Sequence, residues 1–302
     1  MKTEGSESPE PFVVAAVQAG SVLYEKNACL DRVASLSGEA AARGAALVVF
    51  PEAFVPGYPR GEGFGMVVGS RTEEGRALFE RYRGASVVLG GEDGSRLGEI
   101  ARTNSVFLAV GVVERDGAPN SGTLYCSIAY FGPDGSYLGK HRKLKPTASE
   151  RLVWGEGDGS TLTSVQTPVG RVGGLICWEN YMPLARAAMY EHGLTVYLAP
   201  TADQRDGWQA TMRHVALESR CYVVGCNQFV PDDGSGRTGS RGGSVIVDPL
   251  GEVIAGPLWD EDGILTAEID PSLVVRSRLD FDPIGHYARR DVFELRVHRP
   301  PE

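Results

Sequence analysis

The sequence predicts an α/β fold built on mixed β-sheet. Short apolar runs typical of buried strands alternate with segments whose apolar residues repeat at helical spacing. Helical crossovers favour parallel neighbours, whereas closely spaced strand pairs with turn residues between them favour antiparallel ones. No stretch has the composition of an interdomain linker and no internal repeat is evident. We therefore expect a single domain over residues 12–302, preceded by a disordered tail over residues 1–11.

The first half of the chain contributes strands and two helices. Cys29, Val33, Leu36 and Ala40 are spaced by 4, 3 and 4 residues, which places an apolar stripe on one helix face. A second helix is expected over residues 73–82, after a loop rich in proline and glycine. Strands are predicted over residues 12–18, 46–50, 105–113 and 123–131.

The second half repeats this alternation. An apolar run over residues 171–176 predicts a buried strand that ends at Cys177, and Pro183 marks the start of a helix reaching residue 192. Another helix is predicted from a stripe of four residues spaced by 4, 3 and 4, namely Trp208, Met212, Val215 and Ser219. Further strands are expected over residues 195–199, 221–226, 244–247 and 252–255.

Composition excludes several classes of function. The 302 residues carry a net charge of −9, so a nucleic-acid partner is not expected. No apolar run approaches the roughly 20 residues that span a bilayer, and the N-terminus lacks a signal-peptide pattern. Five cysteines without a C-x-x-C pair indicate a reduced, cytoplasmic protein. The five histidines are scattered, so we expect neither a metal nor another cofactor.

Three residues carry the chemistry that the sequence suggests. Cys177 ends a buried strand, where most cysteines act only as small apolar side chains. Glu52 lies between apolar neighbours, so it is either a general base with a raised pKa or one half of a structural ion pair. Lys143 lies in a basic run that would otherwise be a solvated face. A thiol, a carboxylate and an ammonium together could open a carbon–nitrogen multiple bond.

The chain resembles the nitrilase superfamily, and within it the nitrilase branch. Three separated segments carry the resemblance: residues 50–59 around Glu52, residues 139–147 around Lys143, and Cys177-Trp178-Glu179-Asn180. Lys143 follows Glu52 by 91 residues and Cys177 follows Lys143 by 34, which suits that family. The resemblance implies a four-layer α-β-β-α sandwich with two mixed sheets.

The same resemblance implies roles for individual residues. Glu52, Lys143 and Cys177 would form a catalytic triad, in which Glu52 is the base, Lys143 stabilises negative charge and Cys177 is the nucleophile. Glu150 would support Lys143, unless it is a plain surface carboxylate. The substrate pocket would be lined by Tyr58, Trp178, Glu179 and Asn180, although Trp178 could equally pack against the sheet.

The function implied is hydrolysis of an organic nitrile to a carboxylic acid and ammonia through covalent thioimidate and thioester intermediates on cysteine. Two alternatives keep the same triad: hydration of cyanide, and hydrolysis of an amide. A third, a catalytically silent binding module, is disfavoured by the intact triad. The family also implies self-association as a homodimer or a larger homo-oligomer, with a small nitrile as the other partner.

Overall fold

The computed structural model describes residues 12–117, 121–232 and 239–299. The tail predicted over residues 1–11 lies outside the described residues. The α-helices of the described part are α1 (Lys26–Ala42), α2 (Glu73–Ala85), α3 (Glu92–Asn104), α4 (Pro183–Tyr190), α5 (Asp206–Ser219) and α6 (Pro271–Ser277). Its short 3₁₀ helices are Ala148–Leu152, Gly159–Thr161 and Cys177–Tyr181.

The strands assemble into two mixed sheets. The strands of the first are β1 (Phe12–Gln18), β2 (Ala45–Val49), β3 (Phe107–Arg115), β4 (Leu124–Phe131), β5 (Tyr137–Arg142) and β13 (Gly263–Ile269). The strands of the second are β6 (Ser164–Thr167), β7 (Gly170–Gly174), β8 (Leu194–Thr201), β9 (Tyr222–Asn227), β10 (Phe229–Val230), β11 (Ser240–Val247) and β12 (Val253–Trp259).

Each sheet has a parallel centre with antiparallel edges. The first runs in the order β13-β1-β2-β3-β4-β5, with β1, β2 and β3 parallel. The second runs β10-β11-β9-β8-β7-β6, with β12 paired to β11 and with β7, β8 and β9 parallel. The parallel strands are joined through helices, as parallel connections require. The predicted α/β class and mixed sheets are confirmed.

The strand alternation sorts side chains into three apolar interfaces. Val14 and Ala16 face the second sheet, whereas Ala15 and Val17 face the helices, because successive side chains point to opposite faces. Helices α1 and α3 cover the outer face of the first sheet, and α4 and α5 cover the outer face of the second. The order of layers is therefore α-β-β-α, as the resemblance implies.

Both predicted helix stripes are buried. Trp208, Met212, Val215 and Ser219 of α5 are all at most 2% exposed. On α1 the positions of Cys29, Val33 and Ala40 are fully buried, while Leu36 is partly buried against the same cluster.

Helix α3 is not predicted from the sequence, and its glycines explain why. Gly94 and Gly98 interrupt the helical pattern and have the composition of a turn. In the fold a Cβ atom at Gly94 would lie 1.9 Å from the carbonyl oxygen of Leu89, and one at Gly98 would lie 2.4 Å from that of Gly135. Close backbone packing therefore requires glycine at both positions despite its poor helix propensity. No helix in the described residues is long and apolar enough to cross a membrane.

Candidate active site

Four chain segments meet where strands of the two facing sheets end. Glu52 follows β2, Lys143 follows β5, Cys177 follows β7, and Thr201 is the last residue of β8. The fifth contributor, Glu150, lies on the 3₁₀ helix Ala148–Leu152 between β5 and β6. Residues far apart in the sequence therefore converge on one buried cluster.

Cys177 sits on a strained turn. Its φ angle of 50° lies in the left-handed region, which non-glycine residues seldom adopt and which is often found at functional sites. The 3₁₀ helix Cys177–Tyr181 begins at this residue, and Pro183 then starts α4 at the position predicted from the sequence. Only 4% of Cys177 is exposed, and that part opens into a cleft.

Lys143 is held by two carboxylates. Its Nζ lies 2.6 Å from Glu52 Oε1 and 2.7 Å from Glu150 Oε2, and its side chain is fully buried. Burial alone would lower the pKa of Lys143, but the facing charge of Glu52 raises it well above the ordinary value. The group is therefore an ammonium, and Glu150 lies beside it as the sequence suggested.

Glu52 is the most buried carboxylate of the cluster and is 0% exposed. Burial raises its pKa, the charge of Lys143 opposes that shift, and the charge of Glu150 adds to it. Its Oε1 accepts a hydrogen bond from Lys143 Nζ and a second, at 3.6 Å, from the thiol of Cys126. Its Oε2 has no hydrogen-bond partner that meets normal geometry within the described residues. That oxygen is available to accept a proton.

The Cys177 thiol is protonated at rest. Burial and then the charge of Glu52 raise its pKa, while Lys143 and a hydrogen bond from Thr201 lower it. Glu52 and the thiol each shift the pKa of the other, which places the proton donor beside its acceptor. Thiolate formation therefore requires transfer of that proton to the carboxylate.

Tyr58 and Trp178 line the cleft above the thiol. The Tyr58 hydroxyl donates to Glu150 Oε1 at 2.6 Å, and Trp178 Nε1 donates to Asp203 Oδ2 at 2.9 Å. Trp178 is 40% exposed, so it forms part of the wall rather than packing into the sheet. The cleft has a volume of about 280 Å³ and is lined by Tyr58, Arg60, Thr147, Glu150, Cys177, Trp178, Ala202, Asp203, Gln204 and Arg205.

Glu179 and Asn180, which were expected to line the substrate pocket, lie outside the lining of this cleft. Both are at most 1% exposed and point away from the cleft, because the 3₁₀ turn carries them beneath the nucleophile. Asn180 Nδ2 donates to the carbonyl oxygens of Leu175 and Cys177 at 3.1 and 2.8 Å. It shapes the turn from below and has no route to the substrate.

Glu179 joins the lysine segment to the nucleophile segment. Its carboxylate accepts the backbone N–H of Leu144, next to Lys143, at 2.6 Å, and that of Ile176, next to Cys177, at 2.7 Å. His141 Nε2 lies 3.0 Å from the same carboxylate. The other ring nitrogen of His141 faces the carbonyl oxygen of Thr161 at 3.1 Å, so both nitrogens donate and the ring is an imidazolium.

Thr201, Asp203 and Arg205 are functional neighbours that received no role from the sequence. Asp203 accepts from Arg205 and from Trp178, and Thr201 contacts the nucleophile. Residues 199–203 also resemble the nitrilase branch, and Thr201 ends a buried strand, as the strand before Cys177 does. In the described ranges, no group of three or more His, Cys, Asp or Glu side chains is arranged to hold a metal ion.

Comparison with known proteins gives consistent matches. Residues 13–278 match the Carbon-nitrogen hydrolase family. The chain is 50% identical to an aliphatic nitrilase of Sinorhizobium fredii (strain HH103), over 96% of this chain and 97% of that protein. It is 45% identical to the bifunctional nitrilase/nitrile hydratase NIT4A of Lupinus angustifolius, over 94% of this chain and 85% of that protein.

Solved structures share the fold at lower identity. Saccharomyces cerevisiae Nit3, a member of branch 10 of the nitrilase superfamily, superposes with a TM-score of 0.76 at 24% identity, over 92% of this chain and 97% of that one. The C. elegans NitFhit protein gives a TM-score of 0.75 at 20% identity, over 97% of this chain and 68% of that one.

We expect Glu179→Ala to lower the free energy of unfolding by about 3–5 kcal/mol, the cost of breaking a buried ion pair. The substitution leaves the His141 charge buried without its partner and removes the acceptor of two backbone N–H groups. Urea denaturation followed by circular dichroism measures the change.

The matched control is Glu191→Ala, which removes a carboxylate paired with Arg290 at the surface, 37% and 67% exposed respectively. This loss should stay within about 1 kcal/mol. Equal effects of the two substitutions would contradict the joining role of Glu179.

Proposed function

The chain belongs to the carbon–nitrogen hydrolase family, and we propose that it hydrolyses an organic nitrile to a carboxylic acid and ammonia with Cys177 as covalent nucleophile. The observation that carries this proposal is a buried thiol beside a carboxylate whose first oxygen is held by an ammonium and whose second oxygen has no hydrogen-bond partner among the described residues. The 50% identity to an aliphatic nitrilase supports the nitrile as substrate.

The first step forms a thioimidate. The free oxygen of Glu52 takes the thiol proton, and the sulfur of Cys177 attacks the nitrile carbon. One carbon–nitrogen π bond breaks, and the nitrogen receives the proton back from Glu52. The raised pKa of Glu52 suits this exchange, because a carboxyl group with a pKa nearer to neutrality can both accept and return a proton.

Water completes the reaction in two additions. The first water adds to the thioimidate, with Glu52 as base, and gives a tetrahedral species that carries both sulfur and nitrogen. Loss of ammonia leaves a thioester on Cys177. A second water then releases the carboxylic acid and restores the thiol.

Lys143 lies where negative charge develops. Its ammonium stabilises the anionic tetrahedral species in a site that excludes most water, where such an interaction is stronger than in solution. Glu150 fixes Nζ at 2.7 Å, and Tyr58 fixes Glu150 at 2.6 Å. The ammonium is thus placed before substrate binds.

We also propose that the protein is a cytoplasmic homo-oligomer. All five cysteines are free thiols, which suits a reducing compartment. Leu184 and Phe293, which are 73% and 72% exposed, line a common cleft on the outer helix layer. Exposed apolar side chains of this size are often contact surfaces.

We expect static light scattering to give the mass of a dimer or a larger assembly, and the mass of one chain would contradict this.

Cys177→Ala should abolish ammonia release from a panel of aliphatic and aromatic nitriles while the fold is retained. The control is Cys221→Ala, another buried free cysteine, which lies against α5 on the far side of the second sheet. Full activity in Cys177→Ala would refute the mechanism. Turnover of amides by the unmodified protein, with no ammonia from any nitrile, would refute the substrate class.

We expect Glu52→Gln to lower kcat by at least ~100-fold, because an amide of the same shape cannot accept the thiol proton.

For the unmodified protein, kcat/KM should fall as the pH drops through the raised pKa of Glu52, above the ordinary glutamate value of about 4.3. The sign follows because the base must be ionised to act. A pH profile measured by ammonia release tests this, and full activity at pH 4 would contradict the assignment of Glu52.

A further inference from the structure

The hydroxyl of Thr201 touches the reacting sulfur and has no part in the steps above. Thr201 ends β8 and is fully buried, and its Oγ1 lies 3.2 Å from Cys177 Sγ. The neighbouring strand β7 leads to Cys177 itself, so the two residues are held side by side by parallel strand pairing. The contact is therefore built into the second sheet.

The Thr201 hydroxyl donates to the sulfur, and a second hydrogen bond holds it in place. The backbone N–H of Asp203 donates to Thr201 Oγ1 at 2.9 Å, which occupies a lone pair of that oxygen. A hydroxyl has one proton and two lone pairs, so Thr201 can accept from Asp203 while it donates its proton to the sulfur. Asp203 is anchored by Arg205 and by Trp178, so the donor to Thr201 is itself held in place.

A hydrogen bond to sulfur matters most when the sulfur departs. In the proposed reaction the tetrahedral species carries a hydroxyl, an amino group and the Cys177 sulfur on one carbon. If the carbon–nitrogen bond breaks, the hydroxyl proton passes to nitrogen, ammonia leaves and the thioester forms. If the carbon–sulfur bond breaks, the sulfur keeps the electron pair, the same proton restores the thiol and an amide is released.

We propose that Thr201 sets the ratio of amide to acid among the products, because its hydroxyl stabilises the sulfur of Cys177 as a leaving group. This inference rests on the proposed nitrile hydrolysis and adds to it a residue that determines the product. Lys143 and Glu52 act on both branches, through charge and through proton transfer. Among Glu52, Lys143 and Cys177, the Thr201 hydroxyl bonds to the sulfur of Cys177, so it favours the branch in which sulfur leaves.

The test compares Thr201→Val with Thr201→Ser. Valine matches the shape of threonine without the hydroxyl, whereas serine keeps the hydroxyl and loses only a methyl group. We expect the amide-to-acid ratio, measured by liquid chromatography, to fall roughly threefold to tenfold in Thr201→Val, the scale of one hydrogen bond. In Thr201→Ser it should stay near that of the unmodified protein. An unchanged or higher ratio in a folded Thr201→Val would overturn the proposal.

A second measurement tests the role of Thr201 if the amount of amide is too small to detect. At pH 8 the rate of alkylation of Cys177 by iodoacetamide, followed by peptide mass, reports its thiolate. Loss of the hydroxyl should slow alkylation by about threefold, because a less stabilised thiolate is less populated although intrinsically more reactive. Serine should restore the rate, and equal rates in valine and serine variants would overturn the proposal.

The two hypotheses fail in different ways. If no nitrile is consumed by the unmodified protein, the proposed function fails, and the alkylation rates still test the contact between Thr201 and Cys177. If nitrile is consumed but the product ratio is the same in all three proteins, only the role of Thr201 fails. Should Thr201→Val not fold, Thr201→Ala removes the same hydroxyl with less bulk.

Discussion

The site depends on a buried ammonium that needs two carboxylates. Lys143 is fully buried, and an unpaired charge there would cost far more than the fold could offset. Glu52 and Glu150 supply its partners from opposite sides in the sequence, one after β2 and one on a 3₁₀ helix. The need to pair this charge therefore holds together the three segments that carry Glu52, Lys143 and Glu150. The same arrangement leaves one oxygen of Glu52 for the thiol.

The charges around Lys143 also decide the resting state of the nucleophile. Two carboxylates surround one ammonium, so Cys177 feels a net negative environment in addition to burial, and its pKa rises. A cysteine so placed is inert until a base in contact removes its proton. This separates Cys177 from thiols whose pKa is lowered permanently by a nearby cation.

Much of this could be predicted from local sequence. Glu52 and Cys177 each follow a strand with a clear apolar run. Lys143 follows the largely polar strand β5, so its place in the site was implied by the resemblance and not by a local pattern. Side-chain direction after a strand was harder to predict. Glu179 stands two residues beyond the nucleophile, and the 3₁₀ turn rotates it inward against His141, a contact that no linear pattern encodes. Helix α3 was not predicted for a different reason. Gly94 and Gly98 are required by close backbone packing, but in the sequence they have the composition of a turn.

The carboxylate of Glu179 has a consequence for how such a protein can diversify. It ties the backbone beside Lys143 to the backbone beside Cys177 from within the core, on the side away from the cleft. The spacing between the two reactive groups is thus also held from beneath the cleft, on the side that substrate does not meet. Substitutions at Arg60 or Gln204, which line the opening, can reshape it while the reactive atoms keep their distances. Selection can therefore change which substrate enters the cleft without changing the catalytic residues.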